Sequence, residues 1–147
     1  MFKSRKDTSG PLSLHSEHFE TLIGAHTEIQ GEMRLHQSAR IDGRVIGNIT
    51  SPQDVQATVV ISASGWVQGD ISAHRVLIAG KVSGQVHARE RIELQARCEV
   101  QGDIKYGSIA VEHGAHVMGL LLQLDATSGE VPGQRDLEQA LNKAQSG

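Results

Sequence analysis

The sequence predicts an all-β fold, a right-handed parallel β-helix of about six rungs. Two observations indicate this fold class: a glycine-centred apolar unit recurs along the chain, and large aromatic rings are scarce. The 147 residues include 16 glycines but only one Trp, one Tyr and two Phe. A narrow coil of short strands holds Val, Ile and Leu but has no room for large rings, and its sharp corners favour glycine.

The recurring unit is a glycine with an apolar residue two positions away on each side. Its central glycines are separated by 16, 22, 15, 18 and 17 residues. The six copies are Ile29-Gln-Gly31-Glu-Met33, Val45-Ile-Gly47-Asn-Ile49, Val67-Gln-Gly69-Asp-Ile71, Val82-Ser-Gly84-Gln-Val86, Val100-Gln-Gly102-Asp-Ile104 and Val117-Met-Gly119-Leu-Leu121. Because side chains alternate along a strand, the apolar positions of each copy point to one side. One unit cannot bury that side alone, so successive copies must stack around a continuous core.

The spacing also separates two kinds of β-helix. The left-handed hexapeptide β-helix of acyltransferases needs an aliphatic residue at every sixth position over many turns. Here apolar residues are four apart and then ten or more apart, and the length of the repeat varies. The one long step contains a turn-like insertion, Ser51-Pro52-Gln53-Asp54. This irregular spacing favours the right-handed form.

Composition divides the chain into three segments. Residues 19–124 hold nearly all the Val and Ile and are expected to form the β-helix domain. Residues 1–18 are polar, and residues 125–147 contain Gly and Pro before a short stretch of helical spacing that includes Leu137 and Leu141. Since about ten residues form only a marginal helix in water without tertiary packing, we expect both terminal segments to be disordered tails.

Charge and cysteine content limit the functions that this chain can have. The formal net charge is −3 and the sequence pI is about 6.2, so no general basic field is available to bind nucleic acid. The single cysteine, Cys98, excludes an intrachain disulfide and fits a reducing cytoplasm. No run of 18 or more apolar residues is present. We therefore expect a cytoplasmic protein.

Residue types that bind metals or perform catalysis are scattered along the repeats. His113 and His116 are expected to point to opposite faces of an extended segment, without cysteine or carboxylate partners at ligand spacing. Asp70 and Asp103 recur at one repeat position, which predicts an outward ladder of polar side chains rather than a catalytic pair. We therefore predict no catalytic residue, no metal site and no cofactor.

An enzyme is nevertheless the alternative class. A small β-helical protein of the acyltransferase type would place a catalytic histidine in a cleft between subunits, and His74 or His87 would be the candidates. A soluble trimer would favour this alternative, whereas filaments that sediment without nucleotide would favour a structural protein.

The repeats together resemble the bactofilins, a family of polymer-forming bacterial cytoskeletal proteins. The resemblance covers residues from about 20 to 122 and includes two doublets and a closing segment: Ile41-Asp-Gly43-Arg-Val45-Ile-Gly47-Asn-Ile49, Ile78-Ala-Gly80-Lys-Val82-Ser-Gly84-Gln-Val86 and Ile109-Ala-Val111-Glu-His-Gly114-Ala115-His-Val117-Met-Gly119. It implies end-to-end polymerisation, without nucleotide, into non-polar filaments beneath the inner membrane. Such filaments scaffold cell shape, cell-wall synthesis enzymes or polarity proteins.

The two ends of such a solenoid are the expected polymer contacts, because a terminal rung exposes its core and backbone. At the N-terminal end the candidates are Leu22, Ile23, Ile29 and Met33. At the C-terminal end they are Val117, Leu120, Leu121 and Leu122. Bactofilins often carry Phe where Val117 stands, so the resemblance implies a weaker or differently built C-terminal contact in this chain.

The opening Met1-Phe2-Lys3-Ser4-Arg5-Lys6 also resembles the short membrane-targeting peptide of many bactofilins. Phe2 can enter the lipid interface while the three basic side chains face anionic headgroups, each contributing about 1 kcal/mol. One copy binds weakly, but many copies on a polymer act together. The residues expected to bind the inner face of the cytoplasmic membrane are Met1, Phe2, Lys3, Arg5 and Lys6.

Overall fold

The structure, a computed structural model, describes residues 18–125. These residues form fifteen short β-strands joined by turns and bends, with no helix among them. The strands are β1 (Phe19–Ile23), β2 (Glu28–Gln30), β3 (Met33–Arg34), β4 (Ser38–Ile41), β5 (Arg44–Ile46), β6 (Ile49–Thr50), β7 (Thr58–Ile61), β8 (Trp66–Gln68), β9 (Ile71–Ile78), β10 (Lys81–Ser83), β11 (Val86–Leu94), β12 (Glu99–Gln101), β13 (Ile104–Val111), β14 (His116–Met118) and β15 (Leu121–Gln123).

The two predicted tails fall almost entirely on residues 1–17 and 126–147, which lie outside the described residues. Their expected disorder therefore stays a prediction. Within residues 18–125, no helix is long and apolar enough to cross a lipid bilayer.

Parallel strands stack in three columns, which form three faces of a coil. Face one contains β2, β5, β8, β10, β12 and β14. Face two contains β3, β6, the first parts of β9, β11 and β13, and then β15. Face three contains β1, β4, β7 and the second parts of β9, β11 and β13. One rung crosses faces three, one and two in turn, and we number the rungs from the N-terminal end. The predicted parallel β-helix of about six rungs is therefore confirmed.

Three columns of inward-facing side chains fill the coil. Behind face one the residues in register are Ile29, Val45, Val67, Val82, Val100 and Val117. Behind face two they are Met33, Ile49, Ile71, Val86, Ile104 and Leu121. Behind face three they are Ile23, Ile41, Ile61, Ile78, Leu94 and Val111. In rungs two to five these side chains are at most 1% exposed, so the aliphatic core is continuous.

The repeated glycine lies at the corner between faces one and two. The central glycines of the six repeats have φ between 136° and 156°, a backbone conformation that residues with a side chain rarely adopt. They are Gly31, Gly47, Gly69, Gly84, Gly102 and Gly119. In the last five, a Cβ atom would lie only 2.0–2.2 Å from the carbonyl oxygen of the glycine in the preceding rung. Conformation and close approach thus both require glycine at this corner.

The longest step between glycines corresponds to the loop of residues 51–57, between β6 and β7. The Arg89 guanidinium holds this loop. It donates hydrogen bonds to the carbonyl oxygens of Ser51 at 3.3 Å, Pro52 at 2.9 Å and Val55 at 3.2 Å, and to the Ser51 hydroxyl at 3.1 Å. The insertion is therefore anchored to the coil by one side chain.

Candidate functional site at the ends of the solenoid

The core opens at the C-terminal end of the described coil. Val111 is 52% exposed and Leu121 is 44% exposed, whereas Leu94 and Ile104, the residues directly below them in the same columns, are fully buried. Val117, the last residue of the column behind face one, is half-buried and packs against the core. The final rung therefore presents an apolar surface along the axis of the coil.

The four residues predicted at this end divide into two pairs. Val117 and Leu121 continue the inward columns above Val100 and Ile104. Leu122 stacks on the outward-facing Lys105 instead, and Leu120 lies at the outer corner with an exposed side chain. The structure therefore brings Val117 and Leu121 together at the open end of the core and places the other two on the flank.

Sequence reasoning missed two exposed apolar residues of the last rung. Val111 completes the inward column behind face three, and Met118 points outward next to Gly119. The alternation within the final repeat could have identified Met118, since it occupies the outward position between Val117 and Gly119. Val111 could have been identified as the last member of the apolar column behind face three.

The four residues predicted at the N-terminal end also differ in position. Ile23, Ile29 and Met33 head the three inward columns. Ile23 is buried, with 8% exposed, while Ile29 and Met33 are half-buried against the core. Leu22 pairs with Arg40, points outward and is 62% exposed. The N-terminal rung is thus less open at face three than at the other two faces.

The end rungs also leave backbone groups facing away from the coil. Among the described strands, β2 and β14 are the outermost members of face one, and each pairs on one side only. Gly31 illustrates the open edge, because no atom lies within 4 Å of the position its Cβ would take. Unpaired edges of this kind are templates for further strand pairing.

The predicted outward ladder is confirmed at the corner beside the glycines. The Asp70 N–H donates to the side-chain oxygen of Asn48 at 2.9 Å, and the Gln85 N–H donates to the Asp70 carboxylate at 2.9 Å. The Asp103 carboxylate likewise accepts the N–H of Leu120 at 3.0 Å. These carboxylates bond to the backbone of the next rung, which gives Asp70 and Asp103 a structural role.

The two histidines considered for catalysis lie among basic and acidic side chains on the outer surface. His74 Nε2 lies 3.4 Å from a Glu90 carboxylate oxygen, and Arg75 forms an ion pair with the same carboxylate. Burial lowers the pKa of His74, and Glu90 opposes that shift. Burial also lowers the pKa of His87, and the neighbouring Lys105 adds to the effect. Both imidazoles therefore favour the neutral form in the fold.

No other described group forms a reactive or metal-binding cluster. Within residues 18–125, no three His, Cys, Asp or Glu side chains converge to hold a metal ion. Cys98 is fully buried, and burial raises the pKa of its thiol, as expected for a core residue rather than a nucleophile. Met1, Phe2, Lys3, Arg5 and Lys6, the predicted membrane-binding residues, lie outside the described part of the chain.

A stack of parallel rungs with an open apolar end defines a solenoid built for self-assembly. The family of bactofilins, described as polymer-forming cytoskeletal, matches residues 21–121. The chain belongs to this family, and it is a filament-forming cytoskeletal protein. The resemblance found in the repeats is thereby confirmed.

Individual bactofilins show how far the similarity extends. Bactofilin BacO of Myxococcus xanthus (strain DK1622) is 35% identical over 99 residues, which make up 67% of this chain and 75% of BacO. Bactofilin BacP of the same strain is 27% identical over 128 residues, or 87% of this chain and 52% of BacP. The chain thus spans about half the length of BacP.

A solved structure matches the fold of the described residues. It is a cryo-EM reconstruction of Thermus thermophilus bactofilin double helical filaments, with 30% sequence identity and a TM-score of 0.64. The match covers 70% of this chain and 98% of that one.

Proposed function

We propose that this chain assembles end to end into non-polar filaments without a nucleotide. The observation that carries the proposal is the open apolar end of the coil, where Val111, Val117 and Leu121 terminate columns that are buried in rungs two to five. Covering them removes apolar surface from water, which contributes about 25 cal/mol per Å² without any bound energy source. The sequence also lacks the glycine-rich phosphate loop with Lys and Ser/Thr that would hold a nucleotide.

The non-polar arrangement follows if each end meets its own kind. Across a two-fold axis, the C-terminal rung of one copy packs on the C-terminal rung of the next, so that Val117 and Leu121 contact apolar side chains of the same type. The N-terminal rungs, with Ile29 and Met33, meet in the same manner. Alternation of the two contacts produces a filament with equivalent ends.

We further propose that two such protofilaments lie side by side. The related Thermus thermophilus protein forms double helical filaments. A paired filament also increases the number of contacts per copy, which raises the stability of a polymer whose individual contacts are small.

We also propose that the filaments bind the inner face of the cytoplasmic membrane through Met1, Phe2, Lys3, Arg5 and Lys6. The phenyl ring and three cations suit an anionic lipid surface, and a filament presents many copies at once. Deletion of residues 2–6 should abolish sedimentation with vesicles of phosphatidylglycerol and phosphatidylethanolamine while filaments persist. Unchanged sedimentation of the deletion variant would disprove this part.

On the membrane, the filaments would scaffold cell shape, cell-wall synthesis or polar organisation. The partners of such a scaffold are cell-wall enzymes or polarity proteins, which bind along the polymer. Identification of the proteins that co-purify with filaments from cells would test this role directly.

The end contact is tested by substitution of an inward residue and its outward neighbour. Val117→Arg places a charge at the contact, where its desolvation costs several kcal/mol, and should eliminate filaments in electron micrographs. His116→Arg adds the same side chain at an exposed outward position of the same strand and should leave filaments intact. Both are examined without ATP or GTP. Filaments of the Val117→Arg variant would refute the end contact, and a soluble wild-type trimer would refute assembly itself.

A further inference from the structure

Three outward positions change from polar to apolar in the last rung. Rungs three to five carry at these positions Gln68, Asp70 and Ser72, then Ser83, Gln85 and His87, then Gln101, Asp103 and Lys105. The last rung carries Met118, Leu120 and Leu122 instead, which stack directly on the polar residues of rung five. We call these three residues the outer ridge.

Two of the three ridge residues are exposed, and Leu122 is half-buried. Met118 is 71% exposed and Leu120 is 62% exposed. Met118 lies on face one and Leu122 on face two, and the corner at Gly119 places Leu120 between them. Single exposed apolar residues are common on soluble proteins. Three apolar residues at adjacent outward positions, two of them exposed, mark an interaction site where the preceding rungs carry polar residues.

The end contact does not account for the outer ridge. The columns that end in Val111, Val117 and Leu121 open along the axis of the coil, and a copy stacked on the same axis covers them. Met118, Leu120 and Leu122 point away from that axis, on the flank of the rung. A coaxial copy would leave their side chains beside the contact and exposed to solvent.

We propose that the outer ridge forms the lateral contact between a copy in one protofilament and a copy in the neighbouring protofilament. The proposal rests on the paired filaments proposed above. Three side chains are too few for a stable dimer, which needs roughly 1,000 Å² of buried surface. A small contact is sufficient when it is repeated along two protofilaments that lie side by side. A two-fold axis between them allows the ridge of one copy to pack against the ridge of another.

The local charge favours a protein partner over a lipid surface. The Asp103 carboxylate lies directly beneath the ridge and accepts the N–H of Leu120 at 3.0 Å. Asp70 occupies the same corner two rungs below. Lys105 lies beneath Leu122, but the two carboxylates offset its charge. The surface below the ridge therefore has no excess of positive charge to attract anionic lipids, and its charged groups suit the polar rim of a protein contact.

The test transfers the polar residues of rung five to rung six. The full chain with Met118→Gln, Leu120→Asp and Leu122→Lys keeps its net charge and receives residues that the preceding rung already accommodates. We expect this variant to form single protofilaments, with a twofold fall in mass per unit length measured by scanning transmission electron microscopy. Leu120→Asp alone should give the same change. His113→Gln, at an exposed turn of the same rung, should retain pairs.

Each other outcome would overturn the proposal. Paired filaments of the triple variant would place the lateral contact elsewhere. Folded variant protein without any filaments, as judged by circular dichroism and electron microscopy, would assign the ridge to the end contact. If chains lacking residues 2–6 still sedimented with phosphatidylglycerol vesicles and the triple substitution abolished that sedimentation, the ridge would be a lipid contact. Wild-type chain without filaments would refute the proposed function as well, whereas wild-type single filaments would refute only pairing.

Discussion

A Cβ atom on Gly69 would lie 2.1 Å from the carbonyl oxygen of Gly47 in the preceding rung. Side-chain carbons and backbone oxygens do not approach within 3 Å, so the rung could not accept any larger residue without moving. The same distance recurs between Gly84 and Gly69, which makes the glycines a stacked column through the coil. The glycine surplus of the sequence is thus a packing requirement between rungs.

Gly69→Ala should therefore destabilise the fold much more than Gly31→Ala. Both positions have positive φ, which costs about 1 kcal/mol or more for alanine. Of these two positions, only Gly69 also has a backbone oxygen in the space of the added Cβ. The expected loss in the free energy of unfolding for Gly69→Ala is therefore about 3 to 5 kcal/mol. Urea unfolding followed by the fluorescence of Trp66, the single tryptophan, measures the difference. Equal losses in the two variants would show that conformation alone selects glycine.

Asp70→Ala should weaken the outward ladder, because the Gln85 N–H loses its acceptor at 2.9 Å. The site is exposed, so water replaces part of the bond and the expected loss is about 0.5 to 1.5 kcal/mol. Asp70→Asn keeps an acceptor oxygen, as Asn48 does one rung earlier, and should retain nearly full stability. If Asn proved as harmful as Ala in urea unfolding, the negative charge rather than the hydrogen bond would be the important property.

Arg89→Lys should release the loop of residues 51–57. Lysine cannot reproduce the planar set of donors that contacts Ser51, Pro52 and Val55, so we expect a loss of about 2 to 4 kcal/mol. Hydrogen–deuterium exchange of the loop peptide should rise, while exchange of the core strands changes less. Arg97→Lys, at an exposed turn, is the matched control. Unchanged exchange in the loop would mean that the turn holds its shape without Arg89.

The stability of the protein should fall as the pH is lowered below about 6.5. Burial lowers the pKa of His74 and of His87, so the unfolded chain takes up protons that the folded chain resists. The free energy of unfolding is therefore highest above the pKa that the two imidazoles have in the unfolded chain. It decreases as the pH falls from that value towards their lower pKa in the folded chain. The variant with His74→Gln and His87→Gln should lose less stability between pH 7.5 and 5.5 in urea unfolding. A slope equal to that of the wild type would exclude these histidines as its origin.

Lys105→Gln provides a second check on the histidine prediction. Lys105 is in register with His87 and lowers the pKa of that imidazole. Its removal should bring the pKa of His87 closer to the ordinary value and reduce the pH dependence, although no histidine has been changed. NMR titration of the His87 ring protons would measure the shift, and an unchanged midpoint would contradict it.

Local sequence predicted the repeat, the inward columns and the corner glycines, because each depends on residues within one unit. Val45, Gly47 and Ile49 alternate as strand geometry requires, and their spacing alone indicates which side chains face the core. The outward ladder at Asp70 was also predictable, since it needs only the repetition of one position. Arg89 was not, because its partners at Ser51 and Pro52 are distant in sequence and become neighbours only when rungs stack.

The sequence by itself determined the coil, its length of about six rungs and the absence of large rings from its core, since these follow from spacing and side-chain size. Tertiary structure decided which apolar residues of the last rung face the axis and which face the flank. Leu120 and Leu121 are adjacent leucines, yet one lies above the Asp103 carboxylate and the other above buried Ile104. The register with the rung below fixes that difference, and composition carries no information about register.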